Sequence, residues 1–145
     1  YSQDGHERRP GERDAYRAWI LATTRQVWTL FERKFVALWD ERPTGDAYPR
    51  VLFDGEDGRK ALREAQRAYM RRLFEQSLGY AGTAMIRRTL GLAHNIDMGW
   101  IEDRAVRASC ERRNLRLARA LIVEAAAIAD ISEVTARAEA VRAAG

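Results

Sequence analysis

Apolar side chains recur every three or four residues along most of this chain, and no segment shows sustained alternation of apolar and polar positions at a period of two. A chain with that one period can bury its apolar surface only by packing helices on helices, so the expected class is all-α. Tyr16, Trp19, Ile20, Thr23, Val27, Phe31, Phe35, Leu38 and Trp39 predict an amphipathic helix from Gly11 to about Arg42. It stops there because a residue before proline, here Pro43, is pushed out of the helical region. The stretch 43–58 holds Gly45, Pro49, Gly55 and Gly58 and reads as an irregular connection with one helical turn.

A second helix is predicted from Asp57 or Gly58 through Leu62, Tyr69, Met70, Phe74 and Leu78. Gly79 and Gly82 suggest a break, followed by a new helix from Gly82 to Leu90. Gly91, Asn95 and Gly99 predict turns around a short helix containing Trp100 and Ile101. Asp103 is then the expected N-cap of a helix from Arg104 to about Ala129, and Asp130 or Ser132 that of a last helix, Glu133 to Ala143, anchored by Val134 and Val141.

Length and composition fit this plan. A chain of 145 residues, 46% hydrophobic and with 13 aromatic side chains (four Trp, five Tyr, four Phe), suits one helical domain over 1–145 and excludes wholesale disorder. The longest apolar run, Ala118 to Ile131, is interrupted by Arg119, Glu124 and Asp130 and is too short and too charged for a membrane span. Of the 25 basic residues only Lys34 and Lys60 are lysines, the rest being arginines, and the net charge is +4. Acidic residues are interspersed with the arginines in almost every segment, so a solvated, salt-bridged surface accounts for the charge and nucleic-acid binding ranks last. A single cysteine allows no internal disulfide, and no apolar leader opens the chain, so a cytoplasmic protein is expected. The chain starts at Tyr1 rather than Met, which is the expectation for a fragment or for a chain that has lost an upstream part.

Several side chains are candidates for chemistry. Cys110 falls on the inner face of its predicted helix and reads as an inert core thiol rather than a nucleophile. His94 is either an acid–base group or a helix-end residue. Asp97, Glu102 and Asp103 are close in sequence, but helix capping explains them better than Mg²⁺ does, and no metal ligands are assigned. The aromatic stripe of the first helix, at spacings of three and four, is expected to be core rather than a base-stacking platform. Arg87 and Arg88 are the strongest pair. Neighbouring helical residues point about 100° apart, so two guanidiniums can reach adjacent parts of one anionic group, and their planar forks suit phosphate. Arg-Arg pairs also occur at 8 and 9, 71 and 72, and 112 and 113, so spacing alone does not single this one out.

The surrounding segment does: Leu73-Phe-Glu-Gln-Ser-Leu-Gly-Tyr-Ala-Gly-Thr-Ala-Met-Ile-Arg-Arg-Thr-Leu-Gly-Leu-Ala-His-Asn-Ile-Asp97. It resembles the C-terminal part of the S-methyl-5-thioribose kinase family, in which a similar Leu-Gly-Phe-Ala-Gly segment precedes a twin arginine and Gly-Leu-Ala-His. The resemblance extends to Trp39, to Thr44-Gly-Asp-Ala-Tyr-Pro49, to Trp100-Ile-Glu-Asp103 and to Cys110-Glu-Arg112, and runs from Tyr1-Ser-Gln3 to about Ile122.

It implies the helical end of the C-lobe of a protein-kinase-like fold. The implied activity is transfer of the γ-phosphoryl of ATP, with Mg²⁺, to methylthioribose in methionine salvage, by a homodimer. Arg87 and Arg88 inherit by position a place near the sugar and the transferring phosphoryl. The chain departs from the complete pattern: it has no Gly-rich phosphate loop, strand lysine, catalytic-loop His-Gly-Asp or Asp-x-Glu metal motif. The isolated chain is therefore expected to be inactive, with the ATP, Mg²⁺ and base residues in the remainder of the kinase polypeptide. The alternative is a free-standing helical interaction module derived from such a kinase.

Overall fold

A computed structural model describes residues 1–42, 45, 47–92 and 96–145. Among these residues there is no strand, and six α-helices follow one another: α1 (Ser2–Gly5), α2 (Asp14–Glu41), α3 (Gly55–Leu90), α4 (Ile96–Gly99), α5 (Arg104–Val123) and α6 (Ile131–Ala143). Short 3-10 turns lie at Arg50–Phe53 and Ala125–Ala127. The all-α expectation holds.

The core forms where α3 crosses α5. Phe74 and Leu78 of α3, four residues apart and hence on one face, meet Leu117 and Leu121 of α5, and Ile128 closes the cluster from the turn beyond. Burying each of these side chains contributes about 1.5–3 kcal/mol. Tyr1, Trp28, Met85, Ile131, Val134 and Ala138 pack around them. A smaller cluster of Met98, Ile101 and Cys110 fixes α4 and the segment after it against the start of α5.

The break expected at Gly79 and Gly82 is absent: α3 continues through both to Leu90. Gly82 serves a close approach instead. A Cβ built there would lie 2.6 Å from the Ala118 carbonyl oxygen and 2.7 Å from Ile122 Cγ1, so a side chain would force the two helices apart. Both glycines keep ordinary negative φ, and α3 passes straight across α5.

The opposite correction applies to α5, which ends at Val123 rather than Ala129. Arg71 of α3 draws the chain out of the helix there, donating from Nη1 to the Ile128 and Ala129 carbonyls (2.7 and 3.0 Å) and from Nη2 to Ala126 O (2.8 Å). Ile128 is thereby turned inward and fully buried. Both expected aspartate caps form. Asp103 Oδ1 accepts from the backbone of Ala105 and Val106, and Asp130 Oδ1, rather than Ser132, accepts from Ser132 and Glu133. In α6 the buried anchor is Thr135, whose hydroxyl donates to Ser132 O and accepts from Arg25 Nη1 of α2 at 3.0 Å, while Val134 and Val141 are only half-buried.

The aromatic stripe of α2 departs furthest from expectation. None of its 28 residues is buried. Trp28, Phe35 and Trp39 do turn inward, Trp28 onto Phe74 (ring centroids 4.9 Å apart) and Phe35 in a stack on Tyr69 (5.8 Å). Tyr16, Trp19, Val27, Phe31 and Leu38 remain exposed.

An ion cluster holds α2 to the rest of the domain. Asp4 of α1, its side chain 13% exposed, faces Arg17 of α2 (3.0 Å), Arg113 of α5 (2.9 Å) and Arg142 of α6 (2.8 Å). Arg17 also pairs with Glu7 (3.0 Å) and Asp14.

Candidate substrate site at the end of α3

Arg87 and Arg88 occupy the last turn of α3. Both are exposed, and among the described residues neither side chain takes part in an ion pair or a hydrogen bond. The Arg87 carbonyl accepts from Gly91 N–H at 2.9 Å and closes the helix. Cations at a helix C-terminus interact favourably with the negative end of the macrodipole, so the local structure supports two positive charges here without a carboxylate partner. The guanidiniums keep their hydrogen-bonding capacity for an incoming anion.

The backbone carrying them is pinned from behind. Asn114 of α5 donates from Nδ2 to Thr89 Oγ1 (2.7 Å), and Thr89 Oγ1 donates to Met85 O (2.8 Å), so one side-chain amide ties the final turn of α3 to α5. Met85 packs on the main core. Sequence reading did not identify this tie, because Thr89 and Asn114 are 25 positions apart and neither residue is unusual in type.

The other candidates resolve as follows. Cys110 is buried with Met98 and Ile101, and burial pushes its thiol up from its ordinary value, which keeps it protonated and unreactive at neutral pH. Asp103 is committed to its capping bonds. Asp97 takes part through its carbonyl, which accepts from His6 Nε2 at 2.6 Å and joins α4 to the segment after α1. Glu102 is exposed. His94, which the sequence offered as an acid–base candidate, lies outside the described residues, as do Thr44 and Asp46 of the segment Thr44-Gly-Asp-Ala-Tyr-Pro49.

The short helix expected around Trp100 and Ile101 ends just before them, at Gly99. Ile101 is buried, while Trp100 stands 69% exposed beside Arg104 and Arg107, around a shallow hollow. Among the described residues no three His, Cys, Asp or Glu side chains gather as a metal site. Among the described residues no helix is long and apolar enough to cross a membrane.

No protein-family model matches the chain. Individual proteins do. It is 44% identical over 124 residues to methylthioribose kinase 1 of Oryza sativa subsp. japonica, and 42% identical over 124 residues to methylthioribose kinase 2 of the same plant; each match covers 84% of this chain and 28% of the relative. It is 38% identical over 125 residues to the methylthioribose kinase of Escherichia coli O45:K1 (strain S88 / ExPEC), covering 86% of this chain and 29% of that protein. The chain thus spans less than a third of the length of the curated relatives it matches. Over most of its length this chain is a homologue of the methylthioribose kinases, similar to them across a stretch that makes up 28–29% of each.

Proposed function

We propose that this chain is the C-terminal helical part of the C-lobe of a cytoplasmic ATP-dependent kinase that phosphorylates S-methyl-5-thioribose to its 1-phosphate. The observation that carries the reading is the 44% identity to methylthioribose kinase 1 across 84% of the chain. In this reading Arg87 and Arg88 bind the sugar and the phosphoryl group in transfer. The ATP site, the Mg²⁺ ligands and the catalytic base lie in the remainder of the polypeptide.

The geometry of the twin arginine supports that role. A loose phosphoryl-transfer state spreads negative charge over the equatorial oxygens, and fixed cations whose forks are not committed to carboxylates are suited to receive it. The tie from Asn114 limits the motion of the turn that carries them.

The test is ATP-dependent phosphorylation of methylthioribose by the complete polypeptide carrying this sequence, compared with its Arg87→Ala and Arg88→Ala variants. Each substitution is expected to lower kcat/KM by about 10²-fold, the scale for losing one transition-state donor, with the fold intact by circular dichroism. Unchanged turnover in both variants removes the assigned role.

A further inference from the structure

Two apolar stripes run along α2. The inward one, Trp28, Phe35 and Trp39, meets Phe74 and Tyr69 of α3. The second is formed by Tyr16, Trp19, Val27, Phe31 and Leu38, at successive spacings of three, eight, four and seven residues. At 100° per residue these five side chains share one face, centred roughly 100° around the helix from the first. They are 41–62% exposed, with Trp19 at 58% and Val27 at 62%. Tyr16 and Trp19 stack on each other, with centroids 5.6 Å apart, as a flat platform at one end. From Tyr16 to Leu38 the stripe extends about 33 Å at the helical rise. Of the charged residues of α2, Lys34 and, at the very end of the helix, Glu41 fall on this face.

A helix of this length that is apolar on two sides and has no buried residue is not explained by the packing within this domain. A charge-poor, aromatic-rich strip of this extent has the composition of a buried interface core. The relatives supply the occupant's origin: this chain matches 28–29% of their length, so most of each polypeptide lies outside the match.

We infer that the Tyr16–Trp19–Val27–Phe31–Leu38 face of α2 is the seat on which the rest of the same kinase polypeptide docks. The inference rests on the proposed function in taking the chain as part of a longer kinase. It adds which surface carries the junction, and it makes α2 a helix sandwiched between this domain and the remainder of the chain.

Hydroxyl-radical footprinting with mass spectrometry, on the natural polypeptide carrying this sequence purified from its source cells and on the 145-residue chain, tests it. Tyr80, 79% exposed on α3, serves as internal reference. The expected result is a Trp19 oxidation rate at least about tenfold lower, relative to Tyr80, in the natural polypeptide than in the 145-residue chain, unchanged on dilution. Equal relative rates overturn the inference, including the case in which the natural polypeptide is itself only 16.6 kDa. Protection that disappears on dilution also overturns it, because a second copy then covers the face. The methylthioribose assay is independent: a longer polypeptide with Trp19 protected but no such activity refutes the functional reading and leaves the docking face standing.

Discussion

Asn114 Nδ2 lies 2.7 Å from Thr89 Oγ1, so the residue immediately after the twin arginine is fastened to the neighbouring helix. The donor is half-buried and also lies 3.4 Å from Met85 O, so one amide joins α5 to the end of α3 at two points. It lets Arg87 and Arg88 remain exposed on a turn that is itself held.

Asn114→Ala should therefore cost about 1 kcal/mol, the usual net worth of one such hydrogen bond, and should raise amide exchange at residues 86–90 more than in the middle of α3. Urea denaturation and hydrogen exchange measure the two effects. Uniform exchange along α3 in the variant would show that the tie does not hold that turn.

The two glycines of α3 should respond in opposite directions to alanine. Gly79 has open space where a Cβ would go, so Gly79→Ala is expected to stabilise the domain by about 0.5–1 kcal/mol through helix propensity. Gly82→Ala must displace the Ala118 carbonyl or Ile122 and is expected to destabilise by about 1–3 kcal/mol despite the same gain in propensity. Paired thermal melts decide it, and a common sign for both would contradict the close crossing of α3 and α5.

Removing the Asp4 carboxylate leaves Arg17, Arg113 and Arg142 facing one another. Arg17 Nη1 faces Asp4 at 3.0 Å, and Arg17 Nε and Arg113 Nε have no hydrogen-bond partner among the described residues, so losing Asp4 leaves these buried atoms unsatisfied while Arg17 Nη2 keeps Glu7 and Asp14. Asp4→Ala is expected to cost about 3 kcal/mol, in the range for breaking a mostly buried ion pair. Glu56→Ala, which breaks only an exposed pair with Lys60, should cost less than about 0.5 kcal/mol. Comparable denaturation midpoints for the two variants would refute the distinction.

Alkaline pH should loosen the domain through Tyr1. Burial pushes its phenol from 10.0 up to about 12, and its hydroxyl donates to Ala138 O at 3.0 Å. The folded value lies above the unfolded one, so the stabilisation is fully present below pH 10 and is lost as pH rises from 10 towards 12. Tyr1→Phe should flatten the stability profile in that window and lower stability at neutral pH by about 1 kcal/mol for the lost bond. A wild-type profile that is already flat between pH 10 and 12 would contradict the buried phenol.

Cys110 should react with an aromatic disulfide reagent only on unfolding, since it is 1% exposed and its thiol is held protonated by burial. Fast labelling of the folded chain at neutral pH would place it elsewhere than in the cluster with Met98 and Ile101.

What could be read in advance was local. The period of the apolar residues gave the helical class, and the short-range bonding of carboxylates to nearby backbone N–H gave the caps at Asp103 and Asp130. The errors came where a distant partner decides the conformation. Gly79 and Gly82 look like a break until α5 is laid across α3, and the helix end at Val123 is set by Arg71, more than fifty positions earlier. The stripe on α2 satisfies every periodic test for core, because periodicity reports that a face is apolar and not what covers it. At the candidate site the twin arginine stood out by its motif, whereas Thr89 and Asn114 had no signal short of the fold.

The Asp4–Arg142 contact joins residues 138 positions apart, and Tyr1 reaches Ala138 close by. Two side chains at the start of the chain therefore reach the last helix, and the segment is closed at its base like a purse drawn shut by one carboxylate. Loop-closure entropy grows only with the logarithm of the enclosed length, so one good ionic knot can hold so long a loop, but it cannot tie until the helices between have formed. The same knot that gives the domain its outline is thus expected to be among the last contacts made in folding and the first released by a substitution that removes the Asp4 carboxylate.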